Sequence, residues 1–327
     1  DIIIKSKDVL EQLLKEKDEC YVNIMPEGRK SSRTGIFIGL LKRDIRLFNY
    51  VKGKNYDMFI GTDPAISHIG FLKKIPVITV LEDDINVIPE LALITYPFTS
   101  IILTPEGCKT GKYKSKTIHY RGYMELAYLH PRYFFNEVIN YKKPFFLIRL
   151  SKLNAYHDSG IEGLTDSILK KIIGRLEGRG SIYISSEGVL DESFRKHELR
   201  IDKSQIHDVL ANASILISDS QSMTMEAAIL GIPSLRFSDF AGKISVLEEL
   251  EHKYGLTYGI PTNKADLLFQ KLDELLAMSE IELVFQKRRK AMLKDKIDVT
   301  AFMVWFIENY PVSFQEIKKN PEFQNQF

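Results

Sequence analysis

The chain has 327 residues, 44% hydrophobic and 27% charged, with a formal net charge of +2, and a chain of this length is expected to form two domains that enclose a cleft. No apolar run approaches the roughly 18 residues that span a bilayer, and the near-neutral balance argues against nucleic acid as a partner. The two cysteines, Cys20 and Cys108, lack metal-ligand spacing and support neither a disulfide framework nor a metal site, which fits a cytoplasmic protein.

The chain opens on Asp1 and runs directly into Ile2-Ile3-Ile4, a strand without lead-in, so an earlier strand and loop of the native protein are expected upstream. Strands are predicted over 1–4, 21–25, 56–61, 76–81 and 100–103, with amphipathic helices between them. The helix over 36–51 carries Ile38, Leu41, Ile45 and Phe48 on one apolar stripe, with Lys42, Arg43 and Arg46 elsewhere on its surface. The Gly61-Thr62-Asp63-Pro64 segment has ordinary turn chemistry. Leu81-Glu82-Asp83-Asp84 follows a strand with a group of carboxylates, read equally as a solvated turn or as the source of a general base, Asp83 or Asp84. The basic runs over 109–116 and 287–296 read as solvated faces, with peripheral contact to an anionic membrane surface as the alternative. Tyr120 to Tyr128, dense in aromatics around Gly122, reads first as packing and second as an acceptor platform or hinge.

A second series begins at Pro144, with strands over 145–150, 181–185, 214–218, 234–237 and 257–259 and helices over 162–175, 206–211, 221–230 and 244–253. Three helical segments follow. The division expected from this pattern is 1–143, 144–296, and a tail over 297–327 that packs back on the first domain.

In open parallel sheets ligands sit beyond the carboxyl ends of the strands, and those ends are polar here. Arg149 closes one strand and can neutralise a diphosphate. The following loop contains His157, a candidate ligand contact or acid/base group, although a lone loop histidine is more often neither. Ser186, Glu187 and Gly188 close the next strand, and His207 precedes a buried helix where a nucleobase edge can be read. After Ile215-Leu216-Ile217-Ser218 the residues Asp219, Ser220, Gln221, Ser222 and Met223 open a helix, whose unpaired amides and dipole favour an anion. Ser222 and Glu226 lie four apart on one helical face, so a diphosphate at the helix start would place Glu226 beside ribose hydroxyls. The bland alternative is that Asp219 or Ser220 caps a core helix.

Five segments in order, Tyr120-Arg121-Gly122-Tyr123-Met124-Glu125-Leu126-Ala127-Tyr128-Leu129-His130-Pro131, Asn154-Ala155-Tyr156-His157-Asp158, Ser185-Ser186-Glu187-Gly188, Ser218 to Ala228, and Lys296 to Phe302, resemble a prokaryotic family designated domain of unknown function 354. The resemblance covers nearly the whole chain. It implies a GT-B-like α/β fold, two doubly wound Rossmann-type domains facing a cleft, in a group similar to nucleotide-sugar glycosyltransferases and UDP-N-acetylglucosamine 2-epimerases. In the epimerase relatives Asp-Ser-Gly-Gly opens the diphosphate-binding helix and a later Glu holds the ribose. The resemblance therefore implies phosphate contacts at Ser220, Gln221 and Ser222 and a ribose contact at Glu226. Gln221 and Ser222 stand where those relatives have glycine, which brings side chains into the phosphate site. Met124 and Asn86 depart from the family's proton-transfer positions, which leaves Asp83, Asp84, His157 or the segment expected upstream of Asp1 to carry the chemistry.

The expected activity is transfer from a nucleotide-sugar donor, UDP-linked, to a sugar or lipid-linked acceptor in surface polysaccharide or glycoconjugate synthesis, with no cofactor and no metal. Three alternatives stay open: a UDP-N-acetylglucosamine 2-epimerase-like enzyme, a CDP-polyol phosphotransferase, and a non-catalytic nucleotide-sugar-binding protein.

Overall fold

The computed structural model describes residues 1–6, 10–28, 33–137, 141–151 and 163–327. Their contacts form two compact units, the first Asp1–Thr104 with Lys109–His119, the second Pro105–Cys108 with every described residue from Tyr120 onward.

In the first unit strands and helices alternate as β1 (Ile2–Lys5), α1 (Leu10–Glu16), β2 (Tyr21–Met25), α2 (Arg33–Val51), β3 (Phe59–Gly61), α3 (Pro64–Lys73), β4 (Val77–Val80), α4 (Pro89–Thr95), β5 (Ile101–Pro105) and β6 (Thr117–Tyr120). β1 and β2 pair in parallel, and β3 to β6 form a second sheet in chain order. One core cluster spans both sheets, with Ile3 and Ile24 packed against Leu47, Val51, Phe59, Ala65, Ile69 and Val77, and a second gathers Leu81, Ile88, Ala92, Tyr96 and Ile102.

The stripe expected to bury α2 is not the one that does. Ile38, Leu41 and Ile45 are 53%, 51% and 54% exposed, while Gly39, Arg43, Leu47 and Val51, one step round the helix, face inward. Arg43 turns the helix: its guanidinium is buried against the Asp63 carboxylate, Nε to Oδ1 3.1 Å, and Lys5 reaches the other oxygen at 2.8 Å. Burial raises the Asp63 pKa, but the two cations outweigh it and hold the carboxyl below its usual range. Asp63 also accepts from the Ala65 amide at the start of α3, so the Asp-Pro reading as turn chemistry holds.

The second unit contains α5 (Leu126–Leu129), β7 (Phe145–Leu150), α6 (Asp166–Leu176), β8 (Ser181–Ser186), α7 (Ile206–Asn212), β9 (Ile215–Ser218), α8 (Gln221–Leu230), β10 (Ser234–Phe237), α9 (Ser245–His252), β11 (Thr257–Ile260), α10 (Ala265–Ala277), α11 (Ile281–Asp295), α12 (Val299–Glu308) and α13 (Val312–Lys319). Its strands form a parallel sheet in the order β11-β10-β9-β7-β8. From β7 the chain winds outward to β8, then returns to β9 on the other side and continues to β11. The winding reverses between β7 and β9, and such a switch point leaves a crevice at the strands' carboxyl ends.

The division at 143/144 moves forward to residue 120. Tyr120 and Tyr123 are fully buried, the Tyr123 hydroxyl donates to Glu249 at 2.7 Å, and α5 packs on α8 and α12. The tail meets this same segment, which lies ahead of the expected boundary but belongs to the second unit. Phe302 packs against Tyr120 at a tilt and against Phe327 edge-on, with ring centroids 6.4 and 5.7 Å apart, and Gln324 accepts from the Arg121 amide at 2.8 Å. Asp298 caps α12 through the Ala301 amide at 2.9 Å and also accepts from the Tyr133 hydroxyl at 2.7 Å and Arg132 at 3.1 Å. Removing that carboxylate uncaps the helix and orphans a phenol, so Asp298→Ala is expected to lower stability by about 1–2 kcal/mol in urea unfolding.

Candidate functional site

The switch point places β9 and α8 at the crevice. Ser218 ends the strand, and Ser220 caps the helix, its hydroxyl accepting from the Met223 amide at 3.3 Å. The carbonyl of Ser220 receives the Thr224 hydroxyl at 2.7 Å. The capping reading of Ser220 is therefore correct as far as it goes, and Met223, buried with its amide used by the cap, turns into the core. The first-turn amides of Gln221 and Ser222 have no acceptor among the described residues.

α8 is otherwise a core helix. Of its ten residues all are buried except Gln221 and Glu226, which are half-buried, and Ser222, which is exposed. A helix apolar all round needs no polar surface; here Ser222 and Glu226, four apart, share one accessible face, while the Gln221 side chain turns aside to Arg236 and Ser238. The Ser222 hydroxyl lies 3.3 Å from that of Ser220, two hydroxyls side by side at the positive end of the helix dipole.

Asp219 fixes this corner rather than facing a ligand. Its Oδ1 accepts from the Ser151 amide at 2.7 Å and the Ser151 hydroxyl at 2.8 Å, and its Oδ2 from the Leu164 amide at 3.2 Å. A β-carbon on Gly163 would lie 2.5 Å from that oxygen, so glycine is needed for the backbone to approach. Burial pushes the Asp219 carboxyl above its ordinary pKa despite these donors.

Arg149 is not a bare cation at the strand end. Its guanidinium donates to Ser185 Oγ at 2.7 Å and to Glu187 Oε1 at 2.6 Å, tying the ends of β7 and β8 together. An anion would have to share that guanidinium with Glu187. Ser186 accepts from the Gly188 amide at 3.1 Å, closing a tight turn.

Glu226 sits in a small cluster. Oε1 lies 3.0 Å from the Tyr128 hydroxyl and 3.1 Å from His207 Nε2, and the Tyr128 and His207 rings are 5.5 Å apart and tilted. His207 and Glu226, selected from separate motifs, are thus brought together, and Tyr128, which stands out in the sequence only as part of an aromatic run, joins them. The Ser220 and Ser222 hydroxyls also meet, whereas the Gln221 side chain goes to Arg236 and Ser238.

On the first unit Asp84 is buried. Its Oδ1 accepts from the Lys109 amide at 2.9 Å and its carbonyl from the Val87 amide at 2.8 Å. That carboxylate holds a turn, which corrects its selection as a base, whereas Asp83 is half-buried beside it. His157 lies outside the described residues. Among the described residues no group of three or more His, Cys, Asp or Glu side chains is placed to hold a metal ion, and no helix is long and apolar enough to cross a membrane.

No family model matches the chain, and no curated protein sequence matches it. Solved structures do. The chain is similar to S. aureus MnaA solved with UDP, at 15% identity over 94% of this chain and 88% of that one, TM-score 0.68. It is similar to a UDP-N-acetylglucosamine 2-epimerase homologue from Listeria monocytogenes, at 14% identity over 86% and 81%, TM-score 0.61. A spinosyn rhamnosyltransferase solved with spinosyn aglycone matches at 11% identity over 94% and 92%, TM-score 0.57. The fold is therefore α/β of the GT-B type, with Rossmann-like parallel sheets.

Proposed function

We propose that the chain is a nucleotide-sugar-dependent glycosyltransferase that holds the diphosphate of a UDP-linked donor at the start of α8. The observation that carries this reading is that Ser222 and Glu226 share an accessible polar face on an otherwise buried helix, next to first-turn amides left without an acceptor among the described residues. Phosphate oxygens accept from the Gln221 and Ser222 amides and the Ser222 hydroxyl, and the helix dipole stabilises the charge that builds on the leaving diphosphate. Glu226, about one turn along, accepts from the ribose hydroxyls. Asp83 is the candidate base for an acceptor hydroxyl, and the acceptor itself is a sugar or lipid-linked sugar of surface glycoconjugate synthesis in the cytoplasm.

Calorimetric titration with UDP and 2′-deoxy-UDP tests the donor site. The parent protein is expected to bind UDP about tenfold more tightly than the deoxy analogue, and Glu226→Ala to weaken UDP by about the same factor while losing the discrimination. Equal binding of both nucleotides by the parent protein would remove Glu226 from the ribose.

A UDP-N-acetylglucosamine 2-epimerase-like reaction is the second reading, favoured by the same helix, since it uses the donor without an acceptor. Product analysis after incubation with UDP-N-acetylglucosamine alone separates the two: epimerisation in the absence of any acceptor would select the second.

A further inference from the structure

Arg236, at the end of β10, is completely buried. Taking a guanidinium out of water costs several kcal/mol unless it is well paired, and its pairing here is incomplete. Nη1 donates to Gln221 Oε1 at 2.6 Å, while Nη2 lies 3.5 Å from a Glu248 carboxylate oxygen that also accepts from the Gly242 amide. Nε and Nη2 have no hydrogen-bond acceptor. Burial lowers the Arg236 pKa to about 10, with Glu248 and Glu251 opposing the shift, so the group is charged at neutral pH. The neighbouring strand makes room for it: a β-carbon on Gly259 would lie 2.8 Å from Nη2.

The strongest bond of this buried cation goes to the first residue of α8. The Gln221 carboxamide is held at both ends, its oxygen by Arg236 and its Nε2 at 3.0 Å from Ser238 Oγ. A long side chain at the first position of the helix is thereby fixed toward β10 instead of sweeping across the first-turn amides. A cation at the positive end of a helix dipole is also unfavourable by itself; an anion bound at the amides relieves it.

We propose that Arg236 is a positioning residue of the anion site: by clamping Gln221 against β10 it keeps the α8 amides open for a nucleoside diphosphate. This rests on the donor site at α8. It also accounts for glutamine at a position where bare backbone approach would favour glycine, because the clamped side chain leaves the approach clear.

The test is a double-mutant cycle read by UDP affinity. Arg236→Met is expected to weaken UDP about tenfold in the parent background and only about threefold in a Gln221→Gly background, where no side chain needs holding and the charge effect alone is left. Thermal melting confirms that each variant is folded. Should the Met variant fail that control, Arg236→Lys, which keeps the charge but not the planar fork, is expected to weaken UDP in the parent background and to be rescued by Gln221→Gly. Equal losses in the two backgrounds, or no loss in either, would overturn the clamp. UDP binding that persists unchanged in Ser222→Asp would instead overturn the site on α8 itself, so the two failures are distinct.

Discussion

Ser222→Asp is expected to weaken UDP binding by on the order of a hundredfold while melting no lower than the parent protein. Each half of this expectation comes from the same geometry. Ser222 is exposed in the first turn of α8, where a carboxylate interacts favourably with the helix dipole, worth typically 0.3–1 kcal/mol, about enough to offset the lost hydroxyl contact with Ser220. The carboxylate then occupies the place the diphosphate needs and repels it, and like charges brought together in a partly desolvated site cost several kcal/mol. A hundredfold loss corresponds to about 2.7 kcal/mol. Isothermal titration with UDP and a thermal melt of the ligand-free variant decide it. A variant that binds UDP normally would place the diphosphate elsewhere, and one that both fails to bind and melts well below the parent would report damage to α8.

The sequence pattern carried most of the second unit. Its strands are short β-branched runs with clear polar ends, so β7, β9 and β10 appear within a residue of their predicted limits. Which strands lie side by side is a long-range property that no local pattern contains, and the switch between β7 and β9, which picks out α8 among several polar strand ends, emerged only from the sheet order. The α2 stripe was misjudged because two apolar faces compete on that helix, and the winner was set by an ion pair between Arg43 and Asp63, twenty residues apart in sequence. β6 was missed because it lies among aromatics that also suit a packing segment. Arg236 was legible in principle: an arginine inside the apolar run Ser234-Leu235-Arg236-Phe237 violates the pattern of a buried parallel strand, and such violations cluster at functional positions. Its partner, Gln221, drew attention only as a departure from glycine, and the structure joins the two anomalies by one hydrogen bond.

Asp219→Ala is expected to cost about 2 kcal/mol of stability, because it leaves the part-buried Ser151 and Leu164 amides without their acceptor and opens a small cavity at a buried side chain. The same carboxylate gives the pH dependence a definite sign. Burial raises the Asp219 pKa in the folded protein above its ordinary value, so between the unfolded and folded pKa the native state binds more protons than the unfolded state, and stability falls as pH rises through that window. Below the unfolded pKa both states are protonated and this loss is absent; above the folded pKa it is complete. The stability difference between the parent and Asp219→Ala is therefore expected to be largest in acid, to shrink as pH rises through the folded pKa, and to level off beyond it. Urea unfolding of both proteins across the acid range measures that difference, and taking it between two proteins cancels the other titrating groups. A difference that grows with pH would mean that the donors from Ser151 and Leu164 outweigh burial and hold Asp219 ionised. The corner beneath α8 would then be fixed by a stable carboxylate anion, and a bound diphosphate would meet a nearby negative charge that the Gln221 and Ser222 amides must overcome.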